Sequence, residues 1–165
     1  MKYNFEYTKN DYMTPPELYQ MALKRWEIHK FNLDTCCTEE NIPAQKYYKN
    51  GEKDGLKEPW EDYSWCNPPF NDSSKWVEKA YKENKEKGLN IAMLIPVRTE
   101  TRFWHDYILN NPDVEIVWLR KAYTFIDPAT KKPVQMKKKQ KDGTYKEVNG
   151  VYKNALALVF FRAKR

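Results

Sequence analysis

The sequence predicts an α/β fold: a mostly parallel sheet with crossover helices on its two faces and an antiparallel C-terminal hairpin. Three observations carry this. Residues 91–97, 114–119 and 155–161 are short, largely apolar runs of the kind found in strands covered on both faces. Segments with helical spacing alternate with the strands, which implies crossover connections. The last two runs have no helix between them, so they pair antiparallel. The 165 residues read as one domain, 1–165, with a lysine-rich loop insertion at about 127–153.

Taken in order, Thr14-Pro15-Pro16-Glu17 is a helix start. Thr14 is placed to cap, Pro15 suits the first helical position, and Glu17 completes a capping box. Leu18, Met21, Ala22, Arg25 and Trp26 then form one helical stripe. Residues 31–36 alternate like a short strand ending near Asp34. Residues 39–44 read as a turn or short helix stopped by Pro43, and 46–48 as a further strand. Asn50-Gly51 and Asp54-Gly55 are turn signals. Residues 63–66 form a strand that runs directly into Asn67-Pro68-Pro69-Phe70. Asp72, Ser73 and Ser74 offer caps for a helix that buries Trp76, Val77, Ala80 and Tyr81 and stops at Gly88. Residues 99–109 are helical, with Phe103, Trp104, Tyr107 and Ile108 turned inward. Residues 114–119 read as a buried strand. Ligands of such sheets sit at the carboxyl ends of the strands, where Asp34, Asn67 and residues 96–98 fall.

Composition narrows the partners. Net charge is +6, and it is local. Lys131, Lys132, Lys137, Lys138, Lys139 and Lys141 sit in one segment without an acid; the remainder balances, 23 basic against 23 acidic. A basic patch on a neutral body suits a polyanion. Cys36, Cys37 and Cys66 have no CxxC spacing, and the adjacent pair is poorly disposed to close a disulfide, so a reducing, cytoplasmic compartment is expected. Residues 1–6 have no apolar signal core, and no apolar run approaches membrane-spanning length, so no membrane partner is expected. His29 and His105 stand alone and read as structural. No cluster of His, Cys and carboxylates suggests a metal. Trp76 and Trp104 read as core.

The chemistry concentrates in Asn67-Pro68-Pro69-Phe70. Two prolines make a stiff loop, which suits a site of fixed geometry. An Asn side-chain carbonyl and the Pro68 backbone carbonyl give two acceptors at set positions. The exocyclic N6 amine of adenine is a poor nucleophile, because its lone pair is delocalised. Two acceptors that take its two hydrogens favour a pyramidal nitrogen with the lone pair free. A neutral Asn accepts here and is no base. Phe70 can stack on the base, which must leave the duplex to be reached.

With these residues in view, the chain resembles the phage-type DNA N6-adenine methyltransferase (Dam-like) family. The resemblance runs through Asp11-x-x-Thr14-Pro15, Leu33-Asp34-x-Cys36, Asp54-Gly55-Leu56, Trp65-Cys66-Asn67-Pro68-Pro69-Phe70 and Pro96-x-Arg98-Thr99-Glu100-Thr101. It implies the seven-stranded Rossmann-like class I methyltransferase fold, with S-adenosylmethionine as cofactor and DNA as partner. It implies that Asn67, Pro68, Pro69 and Phe70 are catalytic. It places Asp11, Thr14 and Pro15 beside the donor's methionine part, Asp34 at the donor ammonium, Asp54 at the donor's adenine amine, and Asn67 against both donor and base. Arg98 and Arg102 would reach DNA phosphates. The family's phage setting implies the cytoplasm of a bacterial host and protection from restriction.

Two departures qualify it. Asp34-Thr35-Cys36-Cys37-Thr38 has no glycine where many methyltransferases carry a Gly-rich loop, so Thr35, Cys36 and Thr38 are the candidates to hold the donor carboxylate. A chain of 165 residues leaves no room for a separate target-recognition domain, so DNA contact falls to loops, the 127–153 excursion first. Its lysines are expected to bind phosphates without reading bases, giving salt-sensitive binding and short or relaxed specificity. The same tetrapeptide also serves methyltransferases acting on RNA or on a protein glutamine amide. A non-catalytic nucleic-acid-binding relative would keep the fold alone. Oligomeric state is not legible.

Overall fold

The computed structural model describes residues 11–164, so the reading of residues 1–6 lies outside the described residues. The main sheet has six strands: β1 (Phe31–Cys37), β2 (Ala44–Lys49), β3 (Ser64–Cys66), β4 (Ile91–Pro96), β5 (Val114–Trp118) and β8 (Leu156–Phe161). Their order is β2-β1-β3-β4-β8-β5. The pairs β2·β1, β1·β3 and β3·β4 are parallel, and β8 runs antiparallel to both β4 and β5. This is the expected α/β, Rossmann-like arrangement, with six strands among the described residues rather than seven. A separate antiparallel ribbon joins β6 (Gln135–Lys139) to β7 (Tyr145–Asn149), so the lysine-rich excursion is a hairpin.

Period-two alternation sorts the core onto two faces. Ile91, Met93 and Ile95 of β4, with Ala157, Val159 and Phe161 of β8, pack against α2 (Ser73–Lys87) and a π-helical segment, Trp104–Leu109. Ala92, Leu94, Leu156, Leu158 and Phe160 pack against α1 (Pro16–Trp26) on the other face. All six residues of β8 are buried, because that strand lies inside the sheet. The edge belongs to β5. Residues 114–118 are therefore half-buried, against the expectation of a buried strand, and Trp118 is 53% exposed.

Three further expectations are corrected. Thr14 does not cap α1: the helix begins at Pro16 with Pro15 at the cap position and no side-chain cap bond. β1 runs three residues past Asp34, so Asp34 lies within the strand and is 3% exposed. No helix connects β1 to β2; residues 38–43 alone retrace the strand. Seven peptide steps reach at most about 25 Å, and the strand to be retraced is about 20 Å long, so this strap is close to fully extended. It lies on the α1 face, where Ile42 is buried with Leu18 and Ala22. Gly88 closes α2 as expected, at φ 70, in the left-handed region that favours glycine.

Candidate active site

Three adjoining cavities open at the carboxyl ends of β1 and β3. The first, about 30 Å³, is bounded by Asp11, Thr14, Asp34, Cys36 and Asn67. The second, about 190 Å³, is lined by Tyr12, Asn67, the two prolines, Phe70, Phe125 and Tyr152. The third, about 420 Å³, is bordered by Asn50, Asp54, Gly55 and Trp76. Asn67, Pro69 and Tyr12 border both the first and the second; Cys36 and Asn50 border both the first and the third.

Asn67 stands at the junction because β3 ends at Cys66 and two prolines follow, which stop the ladder. Its Nδ2 donates to the Thr14 hydroxyl at 2.9 Å. The Cys36 thiol donates to its backbone carbonyl at 3.3 Å. Beyond it the chain turns into a short 3₁₀ segment, Phe70–Asp72, which uses the Pro69 and Phe70 carbonyls. Asn67 Oδ1 and the Pro68 carbonyl have no hydrogen-bond partner among the described residues. Among the described residues, two acceptors thus remain free on one stiff turn beside an apolar cavity.

The walls of that cavity were not legible in the sequence beyond Phe70. Phe70 meets Tyr152 and Phe125 edge to face, with centroids 5.2 and 6.0 Å apart. Phe125 and Tyr152 flank the hairpin root, where the Tyr152 amide donates to the Tyr123 carbonyl. Tyr12, beside the motif residue Asp11, completes the enclosure.

The first cavity gathers Asp11, Thr14, Asp34, Cys36 and Thr38, residues that the resemblance assigns to the donor. Asp34 is buried, with the Cys36 amide at 3.4 Å. Burial pushes its carboxyl up to about 8, and the Cys36 hydrogen bond pulls it back only in part. Among the described residues no cation pairs with it, and such a group is costly to ionise until one arrives. Thr38 donates to the Asp11 carboxylate at 3.0 Å. Two expected donor residues do not line any of the three cavities. Pro15 is spent on the start of α1, and Thr35 is fully buried within β1.

Asp54 borders the third cavity, and its Oδ1 accepts from the Leu56 amide at 3.0 Å, so the Asp-Gly turn is formed and lies in the cavity wall. Gly55 matters for another reason than turning. A Cβ there would lie 2.0 Å from the Thr35 carbonyl and 2.9 Å from the Trp76 ring. Only glycine lets this loop lie on β1. Trp76 is core as expected, yet its ring also borders the cavity.

The basic residues are scattered. Arg98 pairs with Glu100 at 2.7 Å and lies within electrostatic reach of Tyr152. Arg102 is exposed near the start of the π-helical segment. Lys131 pairs with Glu39 of the strap at 3.3 Å. Lys132 is exposed, and Lys137, Lys138 and Lys139 are exposed along β6, on alternating faces of the ribbon. Lys137 faces Glu147, and Lys138 faces Lys146. His105 is exposed and contacts the Thr99 carbonyl, outside the site.

A family model for DNA N-6-adenine-methyltransferase (Dam) matches residues 4–146. The chain belongs to that family. Among curated Dam relatives, it is 30% identical over 112 residues to a DNA N-6-adenine-methyltransferase of Haemophilus phage HP1. It is 31% identical over 113 residues to one of Escherichia phage T1. Each match covers 67% of this chain but only 62% and 45% of the two relatives, so this Dam-family chain matches less than two thirds of either one's length. Among solved structures, it is similar to a SAM-dependent O-methyltransferase of Thermotoga maritima, with TM-score 0.37 and 12% identity, over 90% of this chain and 46% of that one. Every stretch that carried the resemblance lies within the span of the Dam model.

Proposed function

We propose that this protein transfers a methyl group from S-adenosylmethionine to the N6 amine of adenine in DNA. The observation that carries the reading is the pair of free acceptors, Asn67 Oδ1 and the Pro68 carbonyl, beside a cavity walled by Phe70, Phe125 and Tyr152. The donor's fit rests on two features of the neighbouring cavities. A buried Asp34 with no cationic partner among the described residues suits an ammonium group, and the Gly55 loop lies where any side chain would collide with β1. The names of the two phage relatives support adenine as the base.

In this reading Asp34 receives the donor's ammonium, Cys36 and Thr38 border its carboxylate, and Asp54 meets its adenine amine. Bound there, S-adenosylmethionine supplies an electrophilic methyl on a sulfonium. An adenine turned out of the duplex enters the aromatic cavity, whose rings hold its apolar faces. Asn67 Oδ1 and the Pro68 carbonyl each accept one N6 hydrogen. This draws the nitrogen toward a pyramidal geometry and fixes where its lone pair points. The two prolines make the alignment cheap, since the loop has little freedom to lose. Asn67 takes no proton; the amine's proton leaves after transfer. Lys132 and Lys137 through Lys139 hold phosphates, as do Arg98 and Arg102.

The test is transfer of tritium from labelled donor to DNA, RNA and protein in parallel. Label in DNA, mapped to N6-methyladenine by sequencing DNA from expressing cells, is the expected result. Label confined to RNA or to a glutamine-containing protein overturns the choice of substrate. Absence of donor binding by calorimetry overturns the enzyme reading itself.

A further inference from the structure

We infer that the root of the β6–β7 ribbon reads a base: Gln135 and Asn149 form a fixed amide pair whose free atoms match the major-groove edge of an adenine flanking the methylated one. The inference rests on DNA being the substrate, as in the reading above, and goes beyond it by naming side chains that choose the sequence.

An amide side chain has an accepting end and a donating end of nearly equal shape, so only a partner with a single role can fix which is which. The Pro133 carbonyl is such a partner, because it can only accept. Gln135 Nε2 donates to it at 2.9 Å, which leaves Oε1 as the free end of Gln135. The same Nε2 donates to Asn149 Oδ1 at 2.8 Å. An amide nitrogen only donates, so Asn149 in turn is fixed with Nδ2 as its free end. Both Nε2 hydrogens are now spent. Among the described residues, Gln135 Oε1 and Asn149 Nδ2 have no hydrogen-bond partner. Strand pairing puts Gln135 directly opposite Asn149, so one face of the ribbon carries a free acceptor and a free donor together.

In the major groove, adenine is the one base whose edge has a donor, N6–H, beside an acceptor, N7; guanine offers two acceptors, cytosine a donor and thymine an acceptor. Gln135 Oε1 accepts from N6, and Asn149 Nδ2 donates to N7. A two-stranded ribbon is narrow enough to enter that groove. The amide face is the open one: its residues, Lys137, Lys139 and Tyr145 among them, are all exposed, whereas Val148 on the opposite face is half-buried. Its two lysines meet the phosphates beside the base that the amides read. The root also adjoins the base cavity. Val134, just before Gln135, donates its amide to the Phe125 carbonyl, and Asn149 is three residues from Tyr152. Three residues span at most about 11 Å, roughly three base-pair steps. The base that is read is therefore a near neighbour of the base that is turned out.

The test is selection by binding from a pool of duplexes with one central adenine and random base pairs on either side. The unaltered protein is expected to favour adenine at one flanking position about 5- to 150-fold, the range for one bidentate base contact. Asn149→Ala should make that position nearly even and leave the others as they were. Asn149→Asp keeps the bond from Gln135 and puts an acceptor where the free donor was. The preference should pass from adenine to cytosine, whose N4 amine donates. Loss of the ribbon cannot produce that switch. A duplex with 7-deazaadenine at the position, which has carbon in place of N7, should bind the unaltered protein several-fold more weakly than adenine does and bind Asn149→Ala equally well. The proposal is overturned if no flanking position favours adenine, if either Asn149 variant keeps the preference, if 7-deazaadenine binds the unaltered protein undiminished, or if no duplex is bound. Selection needs no turnover. A protein that selects a flanking adenine and transfers no methyl would refute the methyl-transfer reading and leave this contact standing. One that methylates N6 of adenine whatever its neighbours would refute this contact alone.

Discussion

In the proposed reading, the two carbonyl acceptors come from a turn of four consecutive residues, whereas the donor side is gathered from residues 11–14, 34–38, 50–55 and 67. The first is stiff by covalent structure, since Pro68 and Pro69 fix their own φ angles. The second is stiff only because the sheet folds. Asp34 lies within β1, the strap leans on α1, and the Gly55 loop rests on the Thr35 carbonyl. A local loop confines the damage of a substitution to chemistry. An assembled pocket passes damage on to folding and to affinity alike.

Substitutions should separate the two regions, in decreasing order of effect. Asn67→Ala is expected to lower kcat on the order of 10²- to 10³-fold, as loss of a preorganised polar contact does, with thermal unfolding nearly unchanged and donor affinity lowered far less than kcat. A variant with near-normal turnover would end the role given to the loop. Gly55→Ala should do the reverse kind of harm. The added Cβ collides with Thr35 and Trp76, so stability should drop by about 1–3 kcal/mol and donor affinity at least about tenfold. Full donor affinity in that variant would mean that this loop does not belong to the donor site.

Asp34 sharpens the contrast through pH. Its carboxyl is raised to about 8 in the folded chain from 3.8, so between those values the folded state holds a proton that the unfolded state has released. Stability of the ligand-free protein therefore falls as pH rises through that window and levels off above it. Asp34→Asn should flatten this slope, which thermal melts at pH 5, 6, 7 and 8 would read. A donor ammonium favours the ionised carboxylate, so donor binding at pH 7 should release up to one proton. Calorimetry in buffers of different ionisation enthalpy measures it, and zero release would remove Asp34 from the ammonium site. The smallest effect on turnover is expected from Lys137→Gln, Lys138→Gln and Lys139→Gln together. DNA binding should weaken alike for all sequences, and the salt dependence should lose a slope of about 2–3. A changed target sequence would instead mean that these lysines read bases.

The main-sheet strands, α2 and the stiff Asn67–Phe70 turn could be read directly, because each depends on residues close in sequence. The continuous apolar runs of β4 and β8 and the left-handed stop at Gly88 are of this kind. The misreadings were contacts between distant segments. Thr14 had a complete capping signature, but the prolines after it start the helix unaided and its hydroxyl goes to Asn67. Residues 114–119 are apolar enough for a central strand, yet β8 takes that place and leaves β5 at the edge. The missing Gly-rich loop has its explanation in the strap: with no helix after β1, no helix start needs room there.

By itself, the sequence determined the α/β alternation, the rigid acceptor loop and the confinement of excess charge to one segment. All three follow from side-chain chemistry and short-range backbone preference. Tertiary structure alone decided that Phe125, Tyr152 and Tyr12 wall the cavity beside that loop, that Asp34 is buried, and that Thr14 faces Asn67. Those arrangements come from strand order and from the path of an extended strap, which bring residues 53 apart in sequence within 2.9 Å, and no local preference encodes such a distance.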